Sequence, residues 1–157
     1  MNSLATGLDD VDRRILNALQ MNTALTNAEL AQLVHVSAPT CLRRVKALRD
    51  SGVIAREVAI VAPEKVGAQL TAIVEITLNV QAADRMSEFE AHVAQEPAVL
   101  QCYRVSPGPD FVLVVQVADM PAYHALAHRL FTSHANVRNV KAYFSTFRSK
   151  FETRIAV

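Results

Sequence analysis

Seven residues, Ser37, Ala38, Pro39, Thr40, Arg43, Arg44 and Lys46, have the types and spacing to work on a polyanion. A guanidinium presents a planar fork that suits phosphate oxygens or the O6/N7 edge of guanine, and an ammonium adds a point charge. Short side chains ahead of the cations let a helix come close to base edges in a major groove. Other reactive types are scattered more thinly. His124 and His128 lie one helical turn apart with His134 beyond, but no Glu completes a His-Glu-x-x-His pattern, so no metal is expected. Asp110 follows a turn and is acid in type; the reading preferred for it is an acceptor that fixes its own loop. Cys41, beside Arg43 and Arg44, has the setting of a redox-sensing thiol, against which stands plain packing. The sequence has neither a Gly-rich phosphate loop nor a Gly-x-Ser-x-Gly elbow, and neither enzymatic chemistry nor a cofactor is expected.

The elements that must position the cations run from Leu25 to Gly52. Thr26 and Glu29 make a capping box before a helix with Leu30, Leu33 and Val34 inward. His35-Val36 makes a turn, Ser37 caps the next helix, Pro39 sits where its missing N–H costs nothing, and Gly52 closes that helix. In this second helix Leu42, Val45 and Leu48, with Cys41 alongside, recur at helical spacing. A further amphipathic helix precedes the pair, with Leu8, Ile15, Leu16 and Leu19 inward and acids in its first turn. Val53 to Val61 has strand character and is read as a wing, giving a winged helix-turn-helix.

The chain's net charge of +1 argues little until it is divided. Residues 37–56 hold Arg43, Arg44, Lys46, Arg49 and Arg56 against Asp50 alone. The tail beyond residue 136 holds Arg138, Lys141, Arg148, Lys150 and Arg154 against Glu152, and an acidic body lies between. A local patch is what phosphate attraction requires. At 157 residues, 51% apolar and 20% charged, the composition is that of a globular protein with one or two domains. No apolar run approaches the roughly 18 residues of a membrane span, so a cytoplasmic protein with no membrane partner is expected. Cys41 and Cys102 are too few for a disulfide scaffold.

A turn-rich joint, Ala62 to Gly67, separates two kinds of pattern. Beyond it Ala72, Val74, Ile76, Leu78 and Val80 alternate with polar residues as in a half-buried strand. Asp84 to Glu96 reads as a helix through Met86, Phe89 and Val93. Val99–Ser106 and Phe111–Ala118 read as a hairpin across a Pro-Gly-Pro turn. Pro121–Ser133 is a second helix, and Val137–Phe151 a long last strand. The fold class expected is α+β: a winged helix-turn-helix over residues 1–61, a linker over 62–67, and a ferredoxin-like βαββαβ sandwich over 68–157. Apolar residues on both sheet faces, Ile73 among them, predict pairing with a second copy.

Leu8-Asp9-x-x-Asp12-x-x-Ile15-Leu16-x-x-Leu19, Glu29-Leu30-Ala31, Val36-Ser37-x-x-Thr40-Cys41-Leu42-x-Arg44-Val45-x-x-Leu48 and Gly52-Val53-Ile54 together resemble the leucine-responsive/asparagine-regulator (Lrp/AsnC) family of transcription factors. The resemblance spans nearly the whole chain. It implies a regulator of double-stranded DNA, a homodimer that assembles further to tetramers or octamers, and an amino acid or related effector bound between sensor dimers. Family members usually carry glycine where His35 stands, which implies a positive φ there. Their Thr-Gly-x-x-Asp-Tyr loop corresponds to Ser106-Pro107-Gly108-Pro109-Asp110-Phe111, making Ser106, Pro107, Gly108, Pro109 and Asp110 the implied effector loop, with Gly108 one position from the family's glycine. Two rivals are a sirohaem-decarboxylase-like enzyme of similar fold and a regulator that has lost ligand sensing.

Overall fold

Asp9 starts the first helix by accepting from the backbone N–H groups of Val11 and Asp12, both at 2.9 Å, while its own N–H donates to the Asp12 carboxylate. This reciprocal cap opens α1, Asp10–Met21, in a computed structural model that describes residues 7–157. The expected box of Thr26 and Glu29 opens α2, Asn27–Leu33. Ser37 caps α3, Ala38–Asp50, with proline in its first turn. Between α2 and α3 the chain reverses at His35, whose φ is 58°, and the Val36 N–H returns to the Ala31 carbonyl at 3.0 Å. Gly52, at φ 75°, ends α3 in the left-handed conformation that a side chain disfavours. Ile15, Leu16, Leu19, Leu30, Ala31, Val34, Cys41, Val45 and Leu48 close a small core.

Three expectations for this unit are corrected. Leu33 and Leu42, read as inward, are 57% and 58% exposed. Cys41, not Leu42, fills the core position, because the three helices meet over a narrow arc of α3 that runs through residues 41, 45 and 48. Residues 53–61 form no strand: the wing is absent as a paired element among the described residues, and Val58, Ile60 and Val61 stand exposed.

A short 3-10 turn, Pro63–Lys65, leads into the second unit. There β1 (Leu70–Leu78), α4 (Ala83–Val93), β2 (Val99–Arg104), β3 (Phe111–Val117), α5 (Met120–Ala127, continued by a π-helical turn to Thr132) and β4 (Val137–Phe144) follow in the expected βαββαβ order. The sheet order is β2-β3-β1-β4, all antiparallel. Ala72, Val74, Ile76 and Leu78 of β1 and Phe111, Leu113, Val115 and Val117 of β3 turn toward Met86, Phe89 and Val93 of α4 and Tyr123, Leu126, Leu130 and Phe131. The alternation of β1 thus reports burial up to Leu78; Val80 lies past the strand and is exposed.

The last strand is shorter than its aromatics suggest. Pairing with β1 runs out at Ala72 opposite Phe144, the Ser145 N–H makes one last bond to the Thr71 carbonyl, and Phe147 and Phe151 are exposed. The compact units divide the chain accordingly. One runs to Ile60 and also takes in Lys150–Val157, and the other is Val61–Ser149. The tail therefore belongs to the helical unit, where a boundary at 157 would have placed it with the sheet. Gln20 of α1 holds it, accepting from the Ile155 N–H at 2.8 Å and donating to the Ile155 carbonyl at 3.0 Å.

Candidate nucleic-acid interface and effector loop

The outer face of α3 is set by what its inner face must bury. With Cys41, Val45 and Leu48 inward, the exposed residues are Ala38, Pro39, Leu42, Arg43, Lys46, Ala47, Arg49 and Asp50. Ser37 is exposed at the cap and Thr40 half-buried, its hydroxyl oxygen accepting from the Ser37 hydroxyl at 2.9 Å. Arg43 and Lys46 form no ion pair among the described residues and are free to meet a partner. Arg49 is engaged with Glu57 at 2.9 Å.

Arg44 does not belong with this set. Its guanidinium turns back to α1 and donates to Asp9 Oδ2 at 2.6 Å and Asp12 Oδ1 at 2.9 Å. Asp12 first and then Asp9 push its pKa up, and the Asp9 carboxyl is held below the usual range by the Asp12 N–H and then by Arg44. Its Nε is enclosed with no hydrogen-bond partner among the described residues. Arg44 is a strut between the helix cap of α1 and the middle of α3. Spacing on α3 alone conceals this, because the acids that claim the side chain lie 32 and 35 residues away. The sequence signal that points to it is the Asp9/Asp12 pair, which offers carboxylate oxygens beyond those the cap uses. Cys41 is fully buried and its thiol pushed up by that burial, so it packs and does not present a thiolate.

In the sheet unit, Ser106 to Asp110 joins β2 to β3 through a cis Ser106–Pro107 bond and Gly108 at φ 122°. Ser106, Pro107 and Gly108 are exposed and Pro109 half-buried. A Cβ at Gly108 would meet nothing within 4 Å among the described residues, so the glycine answers a backbone conformation and not a close approach. Asp110 faces the other way and is buried. Its N–H donates to the Ile76 carbonyl at 2.8 Å, and its Oδ2 accepts from the Leu78 N–H at 2.7 Å and from Gln81 Nε2 at 3.4 Å. The carboxylate therefore continues the ladder just where β3 stops pairing with β1. On the other side of β1, Asn136 does the same, bonding both backbone groups of Val80. Asp110 is the loop-fixing acceptor that its type suggested, its Oδ2 committed to Leu78 and Gln81; Gln81 and Asn136, its fellow braces, were not anticipated.

Two family models match the chain: the AsnC-type helix-turn-helix domain over residues 8–49 and the Lrp/AsnC ligand binding domain over residues 71–155. The chain belongs to the Lrp/AsnC family. An HTH-type transcriptional regulator of Haemophilus influenzae is 38% identical over 143 residues, 91% of this chain and 85% of that protein. The DNA-binding transcriptional activator DecR of Escherichia coli K12 is 33% identical over 150 residues, 96% of this chain and 99% of DecR. A transcriptional regulator of Neisseria meningitidis, solved as a complex with L-Met, superposes with a TM-score of 0.89 at 33% identity, covering 94% of this chain and 96% of that one. This Lrp/AsnC chain is an HTH-type transcriptional regulator with a ligand-binding domain.

Two departures from the Lrp/AsnC pattern can now be placed. His35 keeps the left-handed backbone of the usual glycine, so the turn survives the substitution. The Pro107-Gly108-Pro109 loop is anchored at Asp110, which bonds to Ile76 and Leu78 of β1. No helix of the described residues is long and apolar enough to cross a membrane.

Proposed function

We propose that this regulator binds a two-fold operator through α3, with Arg43 and Lys46 as its cationic contacts and Ser37, Ala38, Pro39 and Thr40 nearest the groove floor. The observation that carries the reading is the division of labour on α3: Arg44 and Arg49 are held by carboxylates, while Arg43 and Lys46 stand free on the exposed face. Charge left unpaired on one helix face is what a phosphate backbone rewards. Binding-site selection from random duplexes, followed by fluorescence anisotropy, tests it. Enrichment of a palindromic sequence supports the reading, and failure to enrich any sequence overturns it.

The operator's symmetry calls for a dimer, and the sheet's open face supports one. Ile73 and Tyr143 pair directly across β1 and β4 and are each 43% exposed, with Val112 and Val114 half-buried beside them and Tyr103 beyond. An apolar patch of this kind, bordered by the facing Glu75 and Lys141, is buried by a second copy in a two-layer domain. The effector is an amino acid met by the rim of Ser106, Pro107, Gly108 and Pro109, without Asp110. The Neisseria relative's complex with L-Met makes methionine the first to try. A ligand at 100 times its Kd that binds only the native state adds about 2.7 kcal/mol to stability. Thermal unfolding against the twenty amino acids reads this directly, and a flat panel removes the amino-acid effector from the account.

A further inference from the structure

Leu42 is the one large apolar side chain of α3 that stands exposed among the described residues, and α3 leaves it there while the smaller Cys41 fills the core. Helix geometry puts it on one row with Ala38 and Lys46, at i−4 and i+4, and beside Pro39 at i−3, with the exposed Arg43 next in sequence. It is thus an apolar island inside the face that carries the free cations. A lone exposed leucine needs no explanation by itself. This one sits where its neighbours leave only one kind of partner: Ala38 and Pro39 are short, and Arg43 and Lys46 favour a polyanion whose major groove holds one exposed apolar group, the 5-methyl of thymine.

We infer that Leu42 is a specificity-determining residue that reads a thymine by packing on its 5-methyl group. The inference rests on the proposed docking of α3 in the major groove. Arg43 and Lys46 set affinity and register from the backbone, and Leu42 discriminates at one base pair in each half-site. Removing a buried methyl corresponds to about a fourfold loss in affinity, so a symmetric site changed in both halves loses about fifteenfold.

The test replaces thymines of the selected operator by uracil, which removes only the methyl, one symmetric pair at a time. The wild-type protein is expected to lose about fifteenfold at one pair and little elsewhere. Leu42→Ala, checked for folding by circular dichroism, is expected to bind thymine and uracil duplexes alike at that pair, and Leu42→Met to retain part of the preference. Wild-type binding that is indifferent to every thymine-to-uracil change overturns the inference while leaving DNA binding by α3 intact. So does a Leu42→Ala protein that still prefers thymine, or one whose only change is in oligomeric mass, which would make Leu42 a protein contact. If no duplex is enriched at all, the docking of α3 and the role of Leu42 fall together.

Discussion

Replacing Asp110 separates a brace from a ligand contact. Asp110→Ala removes the acceptor of the Leu78 N–H, a bond of 2.7 Å at a residue with no exposed surface, and strands Gln81 Nε2 as well. Leaving a buried N–H without its charged acceptor costs about 1–3 kcal/mol. The unit affected spans Val61–Ser149, and for a domain of that size 1 kcal/mol moves the midpoint by about 4–8 °C, so a loss of about 2 kcal/mol lowers it by roughly 8–16 °C. Asp110→Asn keeps an oxygen in place and is expected to cost about 1 kcal/mol or less. The assay is built into the composition. The chain has no Trp, and its tyrosines, Tyr103, Tyr123 and Tyr143, all lie in the sheet unit, so tyrosine fluorescence follows that unit alone. An Asp110→Ala protein that melts at the wild-type midpoint refutes the brace. An Asp110→Asn protein of wild-type stability that no longer responds to its effector would return the carboxylate to the ligand site.

Other expectations follow from the same contacts. His134 touches Phe89 and His92, and its Nδ1 accepts from the Asn136 N–H at 3.3 Å; burial first, and His92 second, hold its pKa below the ordinary histidine value of 6.5, with Glu88 opposing. The unfolded chain then binds the proton more readily, so stability is complete above about pH 6.5 and falls as the pH drops through that value toward the folded pKa. His134→Gln should flatten this part of a urea-denaturation profile taken from pH 7.5 to 5.5; an unchanged slope would contradict it. Cys41 is expected to resist thiol reagents in the native protein and to react on unfolding, and rapid labelling without unfolding would contradict its burial. Ile73→Glu, at an exposed position, should leave the fold intact and halve the mass measured by light scattering; an unaltered mass would place the dimer contact elsewhere.

What the sequence made legible was local. The caps at Thr26/Glu29 and Ser37, the stop at Gly52 and the alternation of β1 as far as Leu78 are decided within a few residues and appear as read. The roles that eluded the sequence depend on which distant residue arrives. Arg44 looks like a DNA contact until Asp9 and Asp12 approach it. Leu42 and Cys41 are neighbours in helical phase, and only the narrowness of the three-helix core sends the larger one outward. The strand pattern of residues 53–61 and the strand propensity after Phe144 are not taken up by any strand among the described residues.

The claim that α3 meets DNA through Arg43 and Lys46, with Arg44 as an internal strut, is tested most directly by the salt dependence of operator binding. The logarithm of the binding constant against that of salt concentration falls with a slope of about −0.9 for each phosphate contact. A dimer with both Arg43→Ala and Lys46→Ala loses up to four contacts, so its slope should be shallower by about 2–4 units. A double variant with the wild-type slope would contradict the account.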